Sequence, residues 1–171
     1  IPDNVLIFDD HGSERALSVA EYLYSRGANH LEIVTPDRLI GHDLSATTGP
    51  AYLKMLYGIE VKLTPDHRLV EVKREESNFC ATFQNEHTAV EIHRLVDLVV
   101  VEHGSSPNDE LFQELRKHSV NEGVMDLEAL RLGDPQPTPK EGFTLYRVGD
   151  SVASRDIAAA IYEARRLCQN L

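Results

Sequence analysis

The chain has 171 residues, 42% of them hydrophobic, which suits a globular protein with a real core rather than a disordered one. Its formal net charge of −11 argues against nucleic acid and anionic membrane surfaces as partners, since phosphate recognition needs a basic face. No apolar run approaches the length of a membrane span, and no basic-then-apolar leader opens the chain, so a cytoplasmic protein is expected.

Val5-Leu6-Ile7-Phe8 is a continuous apolar run bounded by charge, the pattern of a strand buried on both faces of a parallel sheet. A helix is expected from Ser13 to Arg26, with Ala16, Val19, Ala20 and Leu23 on its inner face and Gly27 as its stop. Leu31–Val34 reads as the second parallel strand, completing a βαβ unit. Beyond Thr35 and Pro36, a polar loop leads to a helix over Pro50–Tyr57, closed by Gly58, and then to a strand over Ile59–Leu63. Three short runs, Leu69–Lys73, Phe79–Phe83 and Ala89–His93, read as an antiparallel meander. Val96–Val101 returns to the continuous apolar pattern and to the parallel sheet. A helix over Pro107–Leu115, a proline-rich loop over Gly133–Gly142, a last strand at Leu145–Val148 and a last helix at Ile157–Cys168 finish the chain. The fold class is therefore α/β: a Rossmann-like three-layer domain with a parallel sheet and an antiparallel β-meander. Residues 1–104 and 105–171 read as two parts.

Ligands of such folds bind at loops beyond the carboxyl ends of strands. A dinucleotide turn needs G-x-G-x-x-G. With the helix body anchored on Val19–Leu23, those glycines fall on His11, Ser13 and Ala16, and only Ala16 is a tolerated substitute. Ser13 adds a side chain where pyrophosphate would pass, and Asp9 and Asp10 bring negative charge to an anion site. Gly12, Ser13 and Thr35 are the candidate contacts at this turn. The competing reading is a Rossmann unit kept for its packing. Asp9-Asp10 also fits the opening of a signalling receiver, but Lys54 and Met55 stand where its phospho-accepting Asp belongs.

The eight histidines show no metal-ligand spacing, and Cys80 and Cys168 form no CxxC. Gly104-Ser105-Ser106 is not a G-x-S-x-G elbow. The second candidate is Gly149-Asp150, between an apolar strand and an alanine-rich helix. Glycine admits close backbone approach, the helix terminus suits phosphate, and Asp150 can accept from a ribose or ribityl hydroxyl. The rival reading makes Asp150 the cap of the helix.

The order of elements, with Val96–Gly104 as return strand and Arg147–Leu167 as closing motif, resembles the carboxyl-terminal region of iron–sulfur flavoproteins related to trimethylamine dehydrogenase and 2,4-dienoyl-CoA reductase. The matching residues are Gly149, Asp150, Arg155, Ile157, Ala158 and Ala160, with Ala164 where a glycine is common. The N-methylproline and amine demethylase branch is the most similar. Carried by Val96–Gly104 and Arg147–Leu167, the resemblance implies an NAD(P)-binding-like lobe for residues 1–104 and the closing part of a flavin-dinucleotide-type lobe for 105–171. The resemblance implies a piece of a longer polypeptide, an expectation that the start at Ile1 shares. Its partner would be the remainder of that parent, with FMN and a four-iron cluster on a TIM-barrel domain and a homo-oligomer as the further association. ADP, FAD or NAD(P) is the cofactor class implied here, and no catalytic or metal-ligating residue is assigned. The function implied is a dinucleotide-binding-type domain that supports nucleotide binding or architecture rather than substrate chemistry. The alternative is a non-catalytic Rossmann-like scaffold that has lost its cofactor.

Overall fold

Five consecutive residues, Val5 to Asp9, are fully or almost fully buried because β1 (Asn4–Asp9) lies inside the sheet and is covered on both faces. In the computed structural model, which describes residues 2–169, the chain forms two compact units, one up to Gly104 and one from Ser105 onward. In the first unit β1 pairs in parallel with β2 (His30–Val34) on one side and with β7 (Leu98–Glu102) on the other; β2 also pairs in parallel with β3 (Lys62–Thr64). The strand order is β3-β2-β1-β7.

Alternate residues of β1 serve two cores. Val5 and Ile7 face α1 (Glu14–Ser25) and α2 (Gly49–Gly58), packing with Leu17, Ala20, Ile33 and Leu56. Leu6 and Phe8 face the meander and pack on Ala81, Phe83 and Val96. The Phe8 and Phe83 rings lie 6.2 Å apart, tilted by 40°. Helices, parallel sheet and antiparallel sheet make the three layers. The meander is β4 (His67–Glu75), β5 (Asn78–Asn85) and β6 (Glu91–Val96), with an irregular register between Leu69 and Glu71.

Three boundaries differ from the sequence reading. Ile59 caps α2, and Glu60 turns the chain at φ 56°, so β3 begins only at Lys62. Ala89 occupies a turn at φ 56°, which moves the last meander strand to Glu91–Val96. The run over Val96–Val101 is broken at Asp97, whose carboxylate accepts from Asn4 N–H at 3.0 Å and from Asn78 Nδ2 at 2.9 Å. Asp97 thus switches the chain from the antiparallel sheet to the parallel one.

Glu32 ties elements of this unit together. It sits against Arg94 at 2.9 Å, Lys62 at 3.1 Å and the Thr64 hydroxyl at 2.7 Å. Desolvation opposes its charge, but Arg94, Thr64 and Lys62 outweigh it and hold the carboxyl below the usual range.

In the second unit α3 spans Glu110–Leu115, later than the expected start at Pro107, and runs into a single 3₁₀ turn at Arg116–His118. A helix absent from the sequence reading, α4 (Leu127–Leu132), is capped by Asp126, which accepts from Glu128 and Ala129 N–H at 3.0 Å each, and is stopped by Gly133 at φ 78°. The expected strand at Leu145–Val148 is not formed. A strand exists only as a hydrogen-bonded partner, and the described residues from Ser105 onward contain no other strand. Instead, Leu145 N–H donates to Asn121 Oδ1 at 2.9 Å, and Asn121 Nδ2 donates to the Leu145 carbonyl at 2.8 Å. A 3₁₀ turn at Gly149–Ser151 follows, and then α5 (Ile157–Cys168). No described helix is long and apolar enough to cross a membrane.

Replacing Glu32 by Gln leaves Arg94 and Lys62 without their counter-charge. It should cost about 1–2 kcal/mol, read as a lower midpoint in thermal unfolding at neutral pH. The Glu32 carboxyl is depressed in the folded state, so its contribution is present above its unfolded pKa and is lost as pH falls through the folded one. The difference between wild type and Glu32→Gln should therefore shrink in acid.

Candidate functional site

The turn after β1 is closed on itself. Asp9 is fully buried, and its Oδ1 accepts from His11 N–H at 3.1 Å and Gly12 N–H at 3.0 Å. Gly12 adopts φ 72°, and its carbonyl accepts from Asp43 N–H at 3.1 Å. A Cβ at Gly12 would meet His42 Nδ1 at 2.2 Å, so the imidazole lies directly over the glycine. Asp37 holds that ring at 2.8 Å. The loop after β2 therefore covers the ground where a dinucleotide turn would meet its ligand. Asp10 pairs with His103, and Glu102 accepts from Gly104 N–H at 3.1 Å and pairs with Arg15 at 3.4 Å.

Ser13 caps α1, accepting from Arg15 N–H at 3.4 Å. Thr35 is buried; its hydroxyl accepts from Asp37 N–H at 3.2 Å, its N–H donates to the Thr64 carbonyl and its carbonyl accepts from His67 N–H. Gly12, Ser13 and Thr35 thus serve the local backbone. These residues do not fit NAD(P) without displacement of His42, which sequence reasoning counted only among scattered histidines. Its approach depends on how the loop folds back, and no local motif signals that.

The second turn is built differently. Gly149 is buried at φ 61°, and a Cβ there would lie 3.1 Å from Ala160 Cβ, so the turn presses against α5. Its N–H donates to Glu163 Oε2 at 2.8 Å, and the other Glu163 oxygen pairs with Arg155. Arg147 Nη1 donates to the Ser151 carbonyl at 3.2 Å and pairs with Asp109 at 2.6 Å, its guanidinium 4.8 Å from the Phe112 ring centre. The turn is therefore braced at both ends. Asp150 itself is exposed; its Oδ1 lies 3.5 Å from Arg155 N. The cap of α5 is Asp156, which accepts from Ala159 N–H at 2.6 Å. That corrects the reading of Asp150 as the helix cap: five residues separate it from Asp156, room that a 3₁₀ turn and an extended link fill. The Cβ face of Gly149 is taken up by Ala160, so the group this turn presents outward is the Asp150 carboxylate, which suits a ligand that offers hydroxyls. A cavity of about 390 Å³ in this unit is lined by Met125, Val148, Val152, Ala159, Tyr162 and Leu167, among others. Among the described residues no group of three or more His, Cys, Asp or Glu is placed to hold a metal ion.

The chain is 41% identical over 98% of its length to an N,N-dimethylglycine/sarcosine dehydrogenase of Chromohalobacter salexigens, and covers 25% of that protein. It is 39% identical, over 98% of its length, to a probable N-methylproline demethylase of Rhizobium meliloti, again covering 25% of the relative. The resemblance to amine dehydrogenases and demethylases holds. The chain spans about a quarter of the length of the curated relatives it matches. Those relatives are oxidoreductases by name. No protein-family model matches the chain. Among solved structures, histamine dehydrogenase from Rhizobium sp. 4-9 superposes with a TM-score of 0.68 at 20% identity, over 96% of this chain and 22% of the other. Thioredoxin reductase of Lactococcus lactis superposes at 0.60 with 16% identity, over 98% of this chain and 51% of the other. These two matches establish the fold: an α/β, Rossmann-like architecture.

Asp9 provides a test of the closed first turn. Burial, which outweighs the Gly12 and His11 N–H bonds, pushes its carboxyl above the usual range, and its Oδ2 has no hydrogen-bond partner among the described residues. A carboxyl raised by folding stabilises below its unfolded pKa and loses that contribution as pH rises through the folded value. Asp9→Asn keeps the Oδ1 acceptor and cannot ionise. Thermal unfolding from about pH 4 to about pH 8 should show a flatter stability profile for Asp9→Asn than for wild type, with the variant relatively more stable at the upper end. Parallel profiles would mean that Asp9 is not held against its charge.

Proposed function

We propose that this chain is the dinucleotide-binding-type region of a multidomain oxidoreductase of the amine dehydrogenase, demethylase or enoyl reductase class. The observation that carries the proposal is coverage: nearly all of this chain aligns with only a quarter of relatives named as a dimethylglycine/sarcosine dehydrogenase and an N-methylproline demethylase. In this reading substrate chemistry, FMN and a four-iron cluster belong to the rest of a longer cytoplasmic polypeptide. Residues up to Gly104 form its NAD(P)-binding-like lobe, and those from Ser105 onward close a flavin-dinucleotide-type lobe. When bound in such a parent, a flavin supplies electron acceptance. The residues of this chain supply the holding: Gly149 lets the turn pack closely on α5, and Asp150 accepts from a hydroxyl of an ADP or FAD moiety.

The surface of the second unit supports a partner in the same polypeptide. Leu167 is the one buried hydrophobic side chain among its described residues, while Leu127, Ile157, Ile161, Tyr162, Leu111 and Val124 are each more than 60% exposed. So much apolar surface is ordinarily covered by further structure. The covered first turn favours a second reading for its own lobe: architecture, with His42 over Gly12 in place of a cofactor.

The test uses the full-length polypeptide. Purified as such, it should carry an ADP- or FAD-type nucleotide, and Asp150→Asn should lower its affinity about tenfold, roughly 1.4 kcal/mol. Because Asp156 caps α5, the melting temperature of the nucleotide-free protein should stay nearly unchanged. Unchanged occupancy in Asp150→Asn would remove the second turn from the binding site. NADH or NADPH at the first turn should bind only weakly in calorimetric titration, and tight binding at that turn would overturn the architectural reading.

A further inference from the structure

The Gly149 amide sits at a turn where such groups face a ligand, yet it is already committed. Glu163, on the second turn of α5, reaches back fourteen residues to accept from it at 2.8 Å. The other oxygen of that carboxylate pairs with Arg155, which lies between the turn and the Asp156 cap. The Arg155 N–H in turn approaches Asp150 Oδ1 at 3.5 Å. One ring of contacts thus runs from Gly149 through Glu163 and Arg155 to Asp150. With the amide satisfied inward, the group left facing outward is the Asp150 carboxylate.

We infer that Glu163 is a positioning residue for the Gly149–Asp150 turn: with Arg155 as its counter-ion, it fixes the backbone that aims Asp150 at a sugar hydroxyl. The inference rests on the nucleotide reading of this turn proposed above. Two observations separate such a role from an ordinary surface ion pair. The carboxylate bonds the backbone N–H of a buried residue in a half-buried contact, not only another side chain. Gly149 is also in a left-handed conformation pressed on Ala160, so its orientation has little other freedom. Arg155 and then the Gly149 N–H hold the Glu163 carboxyl below the usual range, which keeps it an acceptor at neutral pH.

The experiment is a double-mutant cycle on the nucleotide-free full-length polypeptide, with ADP and FAD titrated separately. The two probes distinguish a ribose hydroxyl from a ribityl one. Glu163→Ala should weaken binding about tenfold, and the double variant with Asp150→Asn should bind no more weakly than Asp150→Asn alone, because Glu163 acts through Asp150. Glu163→Gln should recover most of the affinity, since its amide oxygen still accepts from Gly149. Additive losses, or a Glu163→Gln as weak as Glu163→Ala, would overturn the positioning role while leaving Asp150 as a contact. An unchanged affinity in Asp150→Asn would overturn the reading of the turn and the positioning role with it. Should Glu163→Ala not fold, Glu163→Leu, which keeps the bulk and removes the acceptor, carries the same cycle: a non-additive loss supports the positioning role, and no loss or an additive one breaks it.

Discussion

The burial of β1 on both faces is the constraint on which the first unit depends. A strand flanked in parallel by two neighbours and covered by helices on one side and a meander on the other must be apolar at nearly every position. It must also end abruptly, because the chain leaves the sheet at its carboxyl end with backbone groups still to satisfy. Asp9 meets that need from inside: its carboxylate holds the next two free N–H groups and folds the chain into α1. The same arrangement uses up the donors that a phosphate would want. Stability of the strand end and openness to an anion are thus in competition here, and His42 over Gly12 resolves it toward closure.

The turn that leads into α1 and the turn that precedes α5 make a controlled contrast. Both contain a left-handed glycine whose N–H is bound by a carboxylate. In the first, the carboxylate comes from the strand itself and is buried, and the other acid of the turn, Asp10, is paired with His103. In the second, the carboxylate is supplied by the following helix, and the acidic residue of the turn remains exposed. Where the acceptor comes from decides whether a turn is sealed or open.

Much of this was legible in the sequence. Continuous apolar runs located β1 and β2, and helical spacing located α1, because in each the pattern and the burial coincide; α5 has the expected bounds although Ile157, Ile161 and Tyr162 are exposed. Leu17 was missed on α1 because its neighbour Ala16 already filled the expected stripe, and a helix this deeply covered buries more than one stripe. Asp97 broke an apolar run without changing its composition much, since its work is done by long-range bonds to Asn4 and Asn78. α4 was overlooked although Asp126 and Gly133 mark both its ends, because a helix of one and a half turns shows too little periodicity. At the candidate site, Gly149 and Asp150 stood out by type, but Glu163 did not: its role follows from helix geometry that brings it back across fourteen residues.

The extended stretch that ends at Val148 has a practical consequence. Leu145 is tied to the side chain of Asn121, and the Phe143 carbonyl accepts from Val120 N–H at 3.0 Å, so the stretch has no strand partner among the described residues. A backbone in that state, flanked by exposed Phe143 and apolar helices, is a template for any β-segment that meets it at high concentration. Handled on its own, the second unit is thereby prone to aggregate, and to be cut first by proteases, well before the buried sheet of the first unit gives way.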